Sequence, residues 1–158
     1  MLKIGNNAPD FTALIGDNNS ISLSELVGKF VVLYFYPKDD TPGCTIEAQD
    51  FSRLKPEFEK RNAIIIGVSK DSLTSHDNFK KKYELECALA SDVNSNLCEQ
   101  YEVLGEKSIF GKKYMGIERT TFLIDREGKI VHIWQKVQVK GHAEEVLKQI
   151  EMRIAKVI

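Results

Sequence analysis

Cys44 lies in a sequence context that favours a reactive thiolate. Residues 36–45 read Tyr-Pro-Lys-Asp-Asp-Thr-Pro-Gly-Cys-Thr, between an apolar run at 30–35 and a segment of helical periodicity at 46–54. The cysteine is therefore expected in the first turn of a helix, just after a buried strand. The free N–H groups and partial positive charge of a helix N-terminus favour thiolate over thiol, which makes the sulfur nucleophilic. Thr41, three residues earlier, can place a hydroxyl beside the sulfur.

The pattern of apolar residues predicts the elements that position this cysteine. Strands are predicted at 11–14, 20–23, 29–36, 63–68, 88–90, 119–124 and 129–135, with turns at 16–19 and 125–128. Helices are predicted at 45–61, 72–83, 94–101 and 143–157, the last with an apolar face that includes Val157. Pro56 is expected to kink or interrupt the first helix. This order of elements predicts an α/β fold with a central mixed β-sheet flanked by helices.

Length and composition describe one soluble globular domain over residues 1–158, with 42% hydrophobic and 28% charged residues. The net charge of −1 gives no electrostatic reason to expect binding to nucleic acid or to a membrane surface. No apolar run approaches the roughly 20 residues that span a bilayer, and the N-terminus has no apolar signal region. Three cysteines without such a signal predict a reducing, cytoplasmic location.

Several segments resemble the peroxiredoxins, and in particular the peroxiredoxin Q, or bacterioferritin-comigratory protein, subfamily. The resemblance covers nearly the whole chain and is carried by Ala8-Pro9-Asp10-Phe11, by residues 35–45, by Gly116-Ile117-Glu118-Arg119-Thr120-Thr121-Phe122-Leu123-Ile124-Asp125, and by Val139-Lys140-Gly141-His142-Ala143. Four segments in order and at compatible spacing are far more specific than a lone Thr-xx-Cys. The resemblance implies a thioredoxin-like fold, with Thr41 and Cys44 at the corner where thioredoxins keep two cysteines.

The resemblance also implies a thiol-dependent peroxidase that reduces hydrogen peroxide and organic hydroperoxides through a cysteine sulfenic acid, without haem, flavin or metal. Cys44 would be the nucleophile, with Thr41 and the backbone N–H groups of Gly43 and Cys44 contacting the peroxide. Arg119 would orient the peroxide and stabilise the thiolate. Pro37 would shield the sulfur from water, and Glu47 would hold the arginine. For Arg119 and Glu47 the residues alone also allow an ordinary strand-edge arginine and a carboxylate that complements a helix N-terminus.

The chain departs from the pattern of that subfamily at the resolving cysteine. Many members carry a second cysteine five residues after the first, where this chain has Gln49, and others carry it near the position of Lys80. Cys87 and Cys98 match neither position, so buried structural thiols are expected. A one-cysteine mechanism follows, in which thioredoxin or a small thiol recycles Cys44 in a monomer or weak homodimer. An intramolecular disulfide with Cys87 or Cys98 stays open, and Cys87 is the better candidate because it lies at an element boundary.

Two other functions remain to be weighed. The first is a redox sensor or relay of thioredoxin fold, in which oxidised Cys44 passes its oxidation to a client protein. The second is a metal site, which the sequence does not favour because no cysteines pair at ligand spacing. His76, His132 and His142 each fall in polar surroundings and at no ligand spacing.

Overall fold

Seven strands form one mixed sheet in the computed structural model, which describes residues 1–16 and 18–157. The strands are β1 (Thr12–Gly16), β2 (Asn19–Ser22), β3 (Phe30–Phe35), β4 (Ala63–Ser69), β5 (Ala88–Ser91), β8 (Thr120–Ile124) and β9 (Ile130–Trp134). The order across the sheet is β2-β1-β5-β4-β3-β8-β9. β3, β4 and β5 run parallel, whereas β1, β8 and β9 each pair antiparallel with a neighbour. The predicted α/β fold with a mixed sheet is confirmed.

The central strand β3 is buried along its whole length, as its unbroken apolar sequence predicts. Because side chains alternate between the two faces of a strand, the residues of β3 pack in two separate hydrophobic cores. Tyr34 packs in the core that also contains Cys44, Phe51 and Phe58. Leu33 and Phe35 pack in the opposite core, together with Cys98 and Tyr101. The sheet therefore separates Cys44 from Cys98.

Among the described residues, four α-helices accompany the sheet: α1 (Pro42–Lys60), α2 (Leu73–Tyr83), α3 (Leu97–Gln100) and α4 (His142–Val157). A short 3-10 helix also covers Leu23–Leu26. α1 and α4 pack against each other on the face that carries Cys44. The helix predicted at 72–83 is observed, and the hydroxyl of its N-cap residue Ser72 accepts from the backbone N–H of Ser75. The helix predicted at 94–101 is observed only over the four residues of α3.

Pro56 does not interrupt α1, so the predicted interruption is wrong, whereas the alternative of a kink stays a prediction. The helix continues through it to Lys60. Phe51 and Phe58 lie on either side of the proline along the helix, and both are fully buried. Their packing offsets the backbone hydrogen bond that a proline inside a helix removes.

A two-stranded hairpin was missed by the sequence analysis. It consists of β6 (Leu104–Ile109) and β7 (Lys112–Ile117), which pair with each other and form a separate sheet. The turn residues Phe110 and Gly111 both have positive φ, which is typical of a tight two-residue hairpin turn. Most side chains of the hairpin are exposed, so the alternation that reveals a half-buried strand is absent.

Some predictions fall on residues outside the described part of the chain. Asp17, in the predicted turn at 16–19, and Ile158 are not described, and neither is the side chain of Val157 on the last helix.

Within the described residues, none of the helices combines the length and the apolarity that crossing a membrane requires.

Candidate active site

Cys44 is the third residue of α1 and is only 1% exposed. The helix begins at Pro42, three residues before the predicted start, because proline's fixed φ suits the first helical position. The N–H groups of Gly43 and Cys44 fall in the first turn, where a helix offers them no acceptor. The sulfur therefore lies beside backbone donors at the positive end of a helix.

Arg119 reaches the sulfur from the neighbouring strand. β8 pairs antiparallel with β3, so that Thr120 lies opposite Phe35 at the end of β3 where the chain turns into the cysteine loop. Arg119 precedes Thr120, and its Nη2 lies 3.4 Å from Cys44 Sγ. Gly43 leaves room for this approach, because a Cβ at that position would lie 3.1 Å from Nη2 and the guanidinium would have to shift by a few tenths of an ångström. The register of two strands thus brings together residues 75 positions apart in sequence.

Glu47 holds the other nitrogen of the same guanidinium group. Its Oε1 accepts a hydrogen bond of 2.7 Å from Arg119 Nη1, and its side chain is 1% exposed. Its Oε2 has no hydrogen-bond partner among the described residues. Burial raises the pKa of Glu47 to about 7, although Arg119 opposes the shift. Burial also disfavours the charge of Arg119, but Glu47 and Cys44 outweigh it, so the pKa of the guanidinium is raised.

Thr41 lies at the N-cap of α1, but its hydroxyl is turned toward the loop. Oγ1 donates a hydrogen bond of 2.8 Å to the carbonyl oxygen of Lys38. Among the described residues it makes no hydrogen bond to the sulfur of Cys44, and the role of this hydroxyl at the sulfur stays a prediction. Its oxygen lone pairs stay available to accept a hydrogen bond. Pro37, the other predicted loop residue, is half-buried at the end of β3.

Cys87 and Cys98 are both buried free thiols, at 2% and 0% exposure. Cys87 shares a core with Cys44, and burial raises its pKa to about 12. Cys98 belongs to the core on the other side of the sheet, and burial raises its pKa, with a further contribution from Asp92. Of the two, only Cys87 lies on the same side of the sheet as Cys44.

Although polar residues flank them in sequence, His76 and His142 are buried, at 1% and 3% exposure. His76 shares the buried stripe of α2 with Phe79, three residues later. That i, i+3 spacing was the available signal, but polar neighbours in sequence obscured it. His142 Nε2 lies 2.9 Å from the hydroxyl of Thr121, and burial lowers the pKa of His142 to about 4, with Arg119 adding to the effect.

Asp39, Asp71 and His76 form a cluster that the sequence analysis did not detect. Their ligand-type atoms lie within 4.8 Å of one another. Hydrogen-bond donors already occupy this cluster: Asp39 accepts from His76 and from two hydroxyl groups, and Asp71 Oδ2 accepts from the backbone N–H of Asp39 and the hydroxyl of Ser69. The cluster is therefore an internal hydrogen-bond network rather than an open set of metal ligands.

Comparison with known proteins finds one matching family and similar sequences that carry the same family of names. The pattern of the AhpC/TSA family matches residues 4–133. The chain is 51% identical to the putative peroxiredoxin bcp of Coxiella burnetii, over 92% of this chain and 97% of that protein. It is 47% identical to peroxiredoxin Bcp of Bacillus subtilis, over 95% and 96% of the two chains.

Solved structures agree in fold. The Xanthomonas campestris bacterioferritin comigratory protein, whose alkyl peroxide reduction activity has been studied in trapped complexes, superposes with a TM-score of 0.85 at 44% identity, covering 90% of this chain and 91% of that one. A cysteine-to-serine variant of Xylella fastidiosa PrxQ gives a TM-score of 0.92 at 39% identity, covering 98% of both chains. These similarities confirm the thioredoxin-like fold.

Proposed function

The chain belongs to the AhpC/TSA family and is a peroxiredoxin of the bacterioferritin-comigratory type, and we propose that Cys44 reduces hydrogen peroxide and small organic hydroperoxides. The observation that carries this proposal is the 3.4 Å contact between Arg119 Nη2 and Cys44 Sγ at the start of a helix. A fixed cation and free N–H donors converge on one thiol, which is the arrangement that a nucleophilic attack on an O–O bond needs.

In the first step, the thiolate of Cys44 attacks one peroxide oxygen and the O–O bond breaks. The new S–O bond leaves Cys44 as a sulfenic acid, and the other oxygen departs as hydroxide or alkoxide, which takes a proton to become water or an alcohol. The sulfur is oxidised by two electrons and the peroxide is reduced by two. The thiolate is itself the reductant, so the step needs no haem, flavin or metal.

The neighbouring groups have separate tasks in this step. Arg119 and the N–H groups of Gly43 and Cys44 donate hydrogen bonds to the peroxide oxygens as negative charge develops on them. The Thr41 hydroxyl already donates to the loop, so it accepts a hydrogen bond from the peroxide O–H. Glu47 fixes the guanidinium through the 2.7 Å hydrogen bond, and Pro37 helps to exclude bulk water.

Recycling needs an outside thiol. One thiol attacks the sulfenic sulfur and releases water as a mixed disulfide forms, and a second thiol reduces that disulfide and restores Cys44. Thioredoxin, whose two thiols lie together, or a small-molecule thiol fits this role. Cys44 is 1% exposed, so the first turn of α1 has to open before a protein thiol can reach it. Cys98 lies across the sheet, and the thiol of Cys87 is deeply buried, which supports a one-cysteine mechanism.

Steady-state peroxide consumption with thioredoxin and its reductase tests the proposal. Wild type turns over many times, whereas a sensor would oxidise once and stop. Cys44→Ser retains less than about a tenth of wild-type activity, because an alcohol does not form the anion near neutral pH. The double variant Cys87→Ser/Cys98→Ser keeps most of its turnover. A double variant that oxidises once and stalls, while wild type forms a Cys44–Cys87 disulfide, would contradict the recycling route.

The remaining features of the proposal concern organisation. Residues 1–158 act as one domain, as a monomer or weak homodimer in the cytoplasm. Light scattering after gel filtration measures the oligomeric state, and fractionation of the source cells measures the location.

A further inference from the structure

Asp39 sits in the loop between β3 and Cys44 and is buried among donors. Its Oδ1 accepts from the Tyr36 hydroxyl at 2.6 Å. Its Oδ2 accepts from the Ser75 hydroxyl at 2.7 Å and lies 2.7 Å from His76 Nδ1. Burial favours the neutral acid, but the hydrogen bonds from His76, Tyr36 and Ser75 outweigh it and the pKa of Asp39 is lowered. The carboxylate is therefore ionised near neutral pH, and both of its oxygens act as acceptors.

Both ring nitrogens of His76 face oxygen atoms that can only accept. Nδ1 faces the carboxylate of Asp39, and Nε2 lies 3.1 Å from the carbonyl oxygen of Ala90 on β5. A neutral imidazole carries one N–H, so it would leave a lone pair pointing at one of these oxygens. With Asp39 ionised, an N–H group on each ring nitrogen would satisfy both of these acceptors. The titratable groups that surround the ring are Asp39, Asp71 and the Tyr36 phenol.

This pair joins the cysteine loop to the rest of the fold. Asp39 lies two residues before Thr41 and five before Cys44, whereas His76 lies on α2 and is bound to β5. Their side chains are 4% and 1% exposed. An ion pair removed from water is strongly oriented, and losing one partner leaves an uncompensated buried charge. The loop that carries Cys44 is therefore anchored to a helix and a strand that take no direct part in the chemistry.

We propose that Asp39 and the doubly protonated His76 form a buried ion pair that positions the Cys44 loop for peroxide attack and restrains its opening to the reductant. The proposal rests on the peroxidase function of Cys44 and assigns Asp39 and His76 as positioning residues, since neither touches the sulfur. The Asp39–His76 pair then favours the oxidation of Cys44 and opposes its recycling by a protein thiol. Oxidation needs the closed loop, and recycling by a protein thiol needs the open one.

A matched control is provided by the next residue. Asp40 also links the loop to α2, through an exposed ion pair of 2.8 Å with Lys82 and a hydrogen bond from Tyr83. Asp40→Asn removes one charge from the same loop without disturbing a buried group, and asparagine tolerates the positive φ of 58° at that position. If any contact between the loop and α2 were sufficient, substitution of Asp39 and of Asp40 would have the same effect.

The first test needs neither a variant nor peroxide. In wild type at neutral pH, 15N NMR of histidine-labelled protein is expected to give imidazolium shifts for both His76 ring nitrogens. A neutral tautomer would overturn the proposal. Because Cys44 is not involved, a failure of the peroxidase function would leave this result unchanged, so the two failures are distinguishable.

The second test compares Asp39→Asn and His76→Gln with Asp40→Asn. Both buried variants are expected to slow Cys44 oxidation at least about tenfold in stopped-flow mixing, because the loop loses its orientation. Amide exchange at residues 45–48 should rise at least about tenfold, while recycling of pre-oxidised enzyme by thioredoxin is no slower. Asp40→Asn should stay within about twofold in all three measurements. If both buried variants behave like Asp40→Asn, or if recycling slows together with oxidation, the positioning role is refuted.

Discussion

Replacement of Glu47 by glutamine is expected to abolish the pH dependence that this side chain gives to the free energy of unfolding. The glutamine amide has the same shape, and its carbonyl can still accept from Arg119, but it does not titrate. In wild type, burial raises the pKa of Glu47 from 4.5 to about 7. A folded-state pKa above the unfolded value means that the folded protein holds the proton longer. The contribution of Glu47 to stability is therefore full below about pH 4.5 and is lost as pH rises toward 7.

The size of the effect follows from the two pKa values. With 4.5 in the unfolded chain and about 7 in the folded one, the free energy of unfolding loses about 2.5 kcal/mol between about pH 5 and pH 8. The value of about 7 already includes the opposing effect of Arg119, whose Nη1 lies 2.7 Å from Glu47 Oε1. Glu47→Gln should thus gain up to about 2.5 kcal/mol relative to wild type over that interval.

Urea unfolding of both proteins at several pH values between about 5 and 8 measures this difference. Subtracting the two curves is necessary because His142, whose pKa is lowered to about 4, titrates with the opposite sign. A lowered histidine pKa contributes stability above about 6.5 that is lost as pH falls, and it does so equally in both proteins. Glu59→Gln, which removes an exposed carboxylate from the same helix, is the control for charge alone.

The sign of the change in relative stability with pH shows whether burial or Arg119 dominates the ionisation of Glu47. If wild type gains stability over Glu47→Gln as pH rises, Glu47 is held ionised by Arg119 and burial does not dominate. If the difference is flat, Glu47 does not titrate in this interval. Either result would refute the reasoning from burial.

Three further substitutions test the site and its supports. Arg119→Lys should slow Cys44 oxidation by roughly 10- to 100-fold in stopped-flow mixing, because an ammonium group cannot contact sulfur and carboxylate with the geometry of a guanidinium fork. Gly67→Ala should lower the free energy of unfolding by about 1–3 kcal/mol in urea titration, because the added Cβ would lie 2.7 Å from the Tyr34 hydroxyl and 2.8 Å from Leu89. Cys98→Ala should leave turnover with thioredoxin within about twofold of wild type, because that thiol lies across the sheet.

The elements that the sequence predicted well are those whose burial leaves a clear pattern of apolar residues. β3 and β4 read as continuous apolar runs, and the observed strands differ from the predicted bounds by a residue or so at each end. The β6–β7 hairpin escaped detection for the converse reason, since it buries little and its order comes from the turn at Phe110 and Gly111. Pro56 shows a different limit, because a local rule predicts a break that tertiary packing overrides.

At the site, sequence could name the residues but not their contacts. Cys44 and Arg119 were found through motif resemblance, and their 3.4 Å contact depends on the register between β3 and β8, which no local pattern encodes. The orientation of the Thr41 hydroxyl was likewise beyond reach, because it depends on where the carbonyl of Lys38 points. Asp39 was overlooked because a charged residue in a loop normally faces water.

The two faces of the sheet explain why a one-cysteine route is physically coherent in this chain. A disulfide requires Cα atoms within about 7 Å. Cys98 could meet Cys44 only if the sheet itself opened, whereas Cys87 would need the core around Tyr34 to rearrange. Releasing the first turn of α1 leaves the sheet intact, and it can bring the sulfur toward solvent. The least disruptive motion available to oxidised Cys44 therefore favours a reductant from outside the chain.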